Sequence, residues 1–154
     1  MYRDQGDVKI FDFGLAREVD DDLLIDDVYS LSGNTGSLRY MAPEVARSQP
    51  YNFSVDVYSF AILLWQICAL ETPYPSYDIE TFTERVVEGG ERPKIDTKWS
   101  QSLSDLLKKC WSTDYRQRLD FQQVTDALRD EISRIRGEHG SVLDLSSRTD
   151  NSCT

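Results

Sequence analysis

One run of residues constrains this chain more than any other. Residues 57–70 are fourteen in a row with only Ser59 and Gln66 polar. Within it Val57, Phe60, Ala61, Leu64, Trp65 and Cys68 recur at i, i+3, i+4, i+7, i+8 and i+11, the spacing of one helical face. Ile62, Leu63 and Ile67 make the other faces apolar as well. A helix that is apolar all round belongs inside a domain, with other elements packed about it. At fourteen residues it is too short to span a bilayer. The pattern therefore predicts a helical unit built around this segment, with Ser54 as its expected N-cap.

The flanking sequence supplies the covering elements. Asp78 caps a shorter helix carrying Ile79, Phe82 and Val86, stopped by Gly89-Gly90. Leu103, Leu106, Leu107, Cys110 and Trp111 form a second stripe. Asp120 and Gln123 have the spacing of a capping box ahead of Phe121, Val124, Leu128, Ile132 and Ile135. After Gly137 the periodicity stops, and residues 137–154 are expected to form a disordered tail. At the other end, Val8-Lys9-Ile10-Phe11 reads as a hairpin strand whose partner is nearly absent. Between strand and helices lies a long loop. Its first part holds six acids and no base over residues 18–27, and its second part is rich in Ser, Gly, Asn and Thr.

Composition narrows the function. With 27 acids against 17 Lys and Arg, the net charge of −10 disfavours nucleic acid or an anionic membrane as a partner. A single histidine, His139, excludes multi-histidine metal centres. Three scattered cysteines, Cys68, Cys110 and Cys153, fit free thiols in a reducing compartment. No apolar run follows Met1 as in a signal peptide, so the expectation is a cytoplasmic protein.

Two triplets carry the chemistry. Asp12-Phe13-Gly14 follows the strand, and Ala42-Pro43-Glu44 stands thirty residues later at the end of the loop. A carboxylate at a strand end can reach a divalent ion on nucleotide phosphates, and the glycine lets the backbone swing it in or out. Taken alone, the first triplet also reads as an ordinary turn. Together the triplets, the loop between them and the apolar helix after them resemble the C-terminal lobe of a eukaryotic protein kinase. The resemblance extends to Val8-Lys9-Ile10-Phe11-Asp12-Phe13-Gly14-Leu15-Ala16-Arg17. It includes Gly36-Ser37-Leu38-Arg39-Tyr40-Met41-Ala42-Pro43-Glu44, Ser54-Val55-Asp56-Val57-Tyr58-Ser59-Phe60-Ala61 and Asp114-Tyr115-Arg116-Gln117-Arg118.

What the resemblance implies can be stated residue by residue. The fold would be mainly α, a kinase-like C-terminal lobe with a remnant β-strand at its start and no N-lobe. A partial kinase domain would occupy residues 1–136, with the activation segment at 12–44 and the helical core at 45–136. Asp12 would bind Mg²⁺ on ATP, and Phe13 and Gly14 would form the activation switch. Ser37 and Tyr40 would lie on the substrate side, Ser37 orienting the catalytic aspartate. Glu44 and Arg118 would form a buried ion pair. Asp56 would accept hydrogen bonds from the backbone of the catalytic loop, or serve simply as a helix-start acid. Ser30, Ser32 and Thr35 would be phosphorylation candidates, Ser32 or Thr35 being the switch. Asp20-Asp21-Asp22 would either mimic phosphate or form a solvated acidic loop.

Gly36-Ser37-Leu38-Arg39-Tyr40 resembles the serine/threonine type, and the Ser-Phe-Ala-Ile-Leu-Leu-Trp stretch from Ser59 resembles the tyrosine-kinase-like branch. Ala61, Gln66 and Leu119 depart from the usual glycine, glutamate and proline. The sequence holds no glycine-rich phosphate loop, no Val-Ala-Ile-Lys strand and no His-Arg-Asp loop. The general base would lie upstream of Met1. The resemblance thus implies part of an ATP-dependent serine/threonine kinase, inactive by itself, acting with protein substrates or upstream kinases. A non-catalytic, pseudokinase-like binding module using the helix faces after Asp78 is the alternative.

Overall fold

The long apolar segment forms the helix the pattern demands, but not the fully enclosed one. In the computed structural model, which describes residues 9–19, 28–34 and 36–146, with side chains in the last helix described as far as 137, four helices and one helical turn follow the loop. They are α1 (Pro43–Ala46), α2 (Ser54–Ala69), α3 (Ile79–Phe82), α4 (Gln101–Cys110) and α5 (Phe121–Ser146). Of these, α1 is the single turn. Short 3₁₀ turns lie at Leu38–Tyr40 and Tyr115–Gln117.

Helix α2 carries the core. Val57, Tyr58, Ala61, Ile62 and Trp65 are buried on it, against Met41, Ala42 and Val45 on one side and Leu106, Leu107, Cys110, Trp111 and Val124 on the other. Leu63, Ile67 and Leu70, by contrast, are exposed, Leu70 to 89%. The expectation of burial on all sides therefore fails for one stripe. Residues 41–45, α4 and α5 pack on the faces that carry Val57, Tyr58, Ala61, Ile62 and Trp65, whereas Leu63 and Ile67 stay exposed. A second, smaller cluster joins Tyr74, Phe82, Val86 and Val87 beneath Leu38 and Tyr77.

Local chemistry accounts for the element ends. Asp78 caps α3, its carboxylate accepting from the Thr81 N–H at 2.8 Å. The helix then widens into a π-helical turn, Thr83–Glu88, and the chain leaves through Gly90 at φ +70°. Asp120 and Gln123 exchange reciprocal bonds of 2.8 and 3.0 Å, a complete capping box. Ser54 is not the cap of α2. It is the first helical residue, and the Asn52 carboxamide two residues earlier accepts its N–H at 3.0 Å.

Both ends depart from the sequence-based expectation. Residues 9–11 make no strand: Ile10 and Phe11 are more than 80% exposed, and among the described residues no second strand offers a ladder. A lone strand has no partner for its N–H and C=O groups. Val8 and the acidic triplet Asp20-Asp21-Asp22 lie outside the described residues. At the other end α5 continues past Gly137 to Ser146, ten residues after Arg136, where the helical core was expected to close. Good helix formers such as Glu138 and Leu143 follow that glycine.

Candidate functional site

The chemistry gathers at the end of the loop, where the chain is pinned to the helical core. Gly36 adopts φ +100°, which a side chain would resist, and delivers Ser37 to the Leu38–Tyr40 turn. Ser37 is exposed, and its carbonyl accepts the Tyr40 N–H at 3.1 Å. Tyr40 is held twice. Its carbonyl accepts from the Ser59 hydroxyl at 2.8 Å, and its own hydroxyl donates to Oε1 of Gln66. Both partners sit on α2, so the central helix sets the position of this turn.

Two residues further, Met41 and Ala42 are buried, and Pro43 opens α1 at the first helical position, where its missing N–H costs nothing. Glu44 then points inward. Its two oxygens take Nη1 and Nη2 of Arg118 at 2.6 and 2.9 Å, a bidentate pair closed to water on both sides. Arg118 spends its remaining donors on backbone: Nε on the Ser112 carbonyl at 2.9 Å, and Nη1 also on that of Ser54 at 3.1 Å. A buried guanidinium is tolerable only when paired and bonded this completely.

That pair extends into a network absent from the sequence reading. The Arg118 guanidinium lies 5.1 Å from the Tyr58 ring centroid, and that of Arg92 lies 5.0 Å from the same ring. Arg92 also binds the carbonyls of Trp111, Val86 and Glu91. The π-turn, the α4 terminus and the Glu44 pair thus meet around one tyrosine. Arg47, at the end of α1, reaches the same π-turn through Glu88 at 3.0 Å. Nothing in the local pattern around Arg92 announces this role, because the Trp111 carbonyl and the Tyr58 ring come to it from distant elements.

The expected nucleotide-side residues are less organised. Asp12 has φ +66°, and Gly14 lies so close that a Cβ there would come within 3.4 Å of the Asp12 Oδ1. The Ala16 N–H closes a turn on the Phe13 carbonyl at 3.0 Å. Phe13 itself is 67% exposed, so the switch residues stand in solvent. Among the described residues no three His, Cys, Asp or Glu side chains come together as a metal centre. Asp12 thus offers a carboxylate that belongs to no cluster of three such groups among the described residues.

Asp56 borders a cavity of about 250 Å³, shared with Arg17, Met41, Tyr51 and Ser59. Its carboxylate meets no hydrogen-bond donor among the described residues. Partial desolvation pushes its pKa above the usual carboxylate value. Ser30 and Ser32 are exposed on the loop, and Thr35 lies outside the described residues.

Residues 1–128 match the family model for protein tyrosine and serine/threonine kinases. The chain belongs to the protein kinase family. It is 35% identical over 128 residues to serine/threonine-protein kinase STY17 of Arabidopsis thaliana, an alignment covering 83% of this chain and 21% of that protein. Serine/threonine/tyrosine-protein kinase HT1 of the same plant is 33% identical over 128 residues, covering 83% of the chain and 31% of HT1. Dual specificity protein kinase shkC of Dictyostelium discoideum is 38% identical over 122 residues, covering 79% and 24%. The chain thus spans between a fifth and a third of the length of these curated relatives. Its mainly helical architecture is that of the family's C-terminal lobe. Among the described residues no helix is long and apolar enough to cross a membrane.

Proposed function

We propose that this chain forms the C-terminal, substrate-facing part of an ATP-dependent serine/threonine protein kinase of the tyrosine-kinase-like branch. The observation that carries the reading is the bidentate Glu44–Arg118 pair, which locks the end of the activation segment onto the helical core. With Tyr40 held by Ser59 and Gln66, residues 37–40 are placed as a rigid ledge on which a peptide can lie. Ser37 stands exposed on that ledge, free to orient a catalytic aspartate. Asp56 borders a cavity where the backbone of a catalytic loop would find an acceptor. Asp12 supplies one carboxylate toward Mg²⁺. The chain by itself is read as inactive, its partners as protein substrates and upstream kinases, and its setting as cytoplasmic.

The test uses the protein as cells make it, immunopurified through α5 and assayed with radiolabelled ATP and a mixed protein substrate. Label on serine and threonine is expected, and its loss in Asp12→Asn. Label confined to tyrosine overturns the substrate class. No label at all favours a non-catalytic binding module.

A further inference from the structure

The stretch 29–34 of the activation segment is strapped to the core by backbone bonds, a tyrosine hydroxyl and a ring contact. Tyr29 and Tyr51 exchange both backbone bonds, 2.8 and 3.1 Å, as an isolated antiparallel bridge. The Asn34 N–H donates to the Val45 carbonyl at 2.9 Å. The Tyr51 hydroxyl donates to the Ser32 carbonyl at 3.0 Å. The Tyr29 ring is buried and meets Phe53 edge-on at 5.8 Å.

Gly33 decides whether these bonds can form together. A Cβ built there would lie 2.5 Å from the Ser48 Cα and 2.6 Å from its Oγ. Its φ lies outside the left-handed range, so the backbone conformation would admit any residue. Space is what excludes a side chain. The obstruction is main chain just past α1, held by the Ser48 N–H on Val45 and the Gln49 N–H on Glu44, so it cannot swing away like a rotamer.

We propose that Gly33 is a positioning residue that seats the activation segment on the α1 terminus before any phosphate is added. Phosphorylation at Ser32 would then act on a segment already docked, and would not be what docks it. The idea rests on the kinase reading only for the segment's name and role, since the seat itself is a property of the fold.

The experiment is amide hydrogen exchange by NMR on the 154-residue chain, made in bacteria and treated with phosphatase. It needs no ATP, so its failure is distinct from failure of the kinase reading. The Tyr29, Asn34 and Tyr51 amides are expected to exchange about tenfold or more slowly than unbonded loop amides. Gly33→Ala is expected to raise all three rates by about tenfold while the Ile62 amide in α2 stays protected. Where Gly33→Ala also unprotects Ile62, Tyr51→Phe is the deciding variant, with Asn34 exchange rising about threefold. Unprotected amides in the phosphate-free chain overturn the proposal. So does Gly33→Ala with unchanged exchange, or unchanged Asn34 exchange in Tyr51→Phe when that variant decides.

Discussion

Glu44 shows how a single side chain can commit a long loop. Its carboxylate is buried and doubly bonded to Arg118, and removing either partner would strand the other's charge in the interior. Glu44→Ala should therefore cost about 3–5 kcal/mol, read as a drop in the urea midpoint. Arg118→Lys should recover little of this, because one ammonium cannot reproduce the fork that also holds Ser112 and Ser54. Glu131 is a second committed carboxylate. Arg134, Ser100 and Ser102 all donate to it, at 2.6 to 3.1 Å, and hold its pKa down at about 2. A pKa lowered on folding stabilises above the unfolded value, and the gain disappears as pH falls through the folded one. Stability supplied by Glu131 should thus be complete at neutral pH and decline between about pH 4.3 and 2. In Glu131→Gln that part of the acid-unfolding slope should be missing. Cys110 is buried, with its thiol pushed up to about 11, and should resist alkylation in the folded chain.

At the scale of elements, the helix starts depend on local signals. The Asp78 carboxylate and the Asp120–Gln123 box each satisfy orphan N–H groups within three residues of sequence. Asp120→Ala should cost about 1 kcal/mol by chemical denaturation. Such caps are legible because donor and acceptor are near neighbours in the chain. Ser54 is instead the first helical residue, its N–H accepted by the Asn52 carboxamide, and a local pattern does not rank neighbouring polar residues at a helix start. The strand expected at residues 8–11 needs a partner segment, which local propensity cannot supply, and residues 9–11 form none. The open stripe of α2 is the same lesson at a helix. Composition specifies an apolar surface, but only tertiary contacts say which side of it is covered.

At the scale of the whole molecule, that open stripe has a measurable consequence. Leu63, Ile67 and Leu70 line one side of the central helix, and Ile10, Phe11, Phe13 and Leu15 are exposed near the start of the chain. Exposed apolar surface of this kind is open to hydrophobic dyes. The isolated 154-residue chain should bind the dye ANS. Leu63→Gln with Ile67→Gln should reduce dye binding while leaving the urea midpoint little changed, since both side chains are exposed in the fold. Unaltered dye binding would show that the stripe is not the exposed surface. Pure chain incubated with Mg-ATP should transfer no phosphate to a protein substrate, and measurable transfer would refute the reading of its parts.

The family and the order of its motifs were legible in the amino-acid sequence, because Asp12-Phe13-Gly14, Ala42-Pro43-Glu44 and the residues around Asp56 and Arg118 are local signatures in a defined order. The central helix and the capped starts of α3 and α5 could be read there too, and the pairing of Glu44 with Arg118 was implied only by the family resemblance. Tertiary structure alone decided what lies far apart in sequence. It placed Arg92 and Arg118 against one tyrosine, set Gly33 against the main chain of Ser48, gathered two serines and an arginine on Glu131, and left one side of α2 uncovered. The difference is physical. Capping and amphipathic spacing act within a few residues, whereas packing, desolvation and steric exclusion exist only once distant segments share the same space.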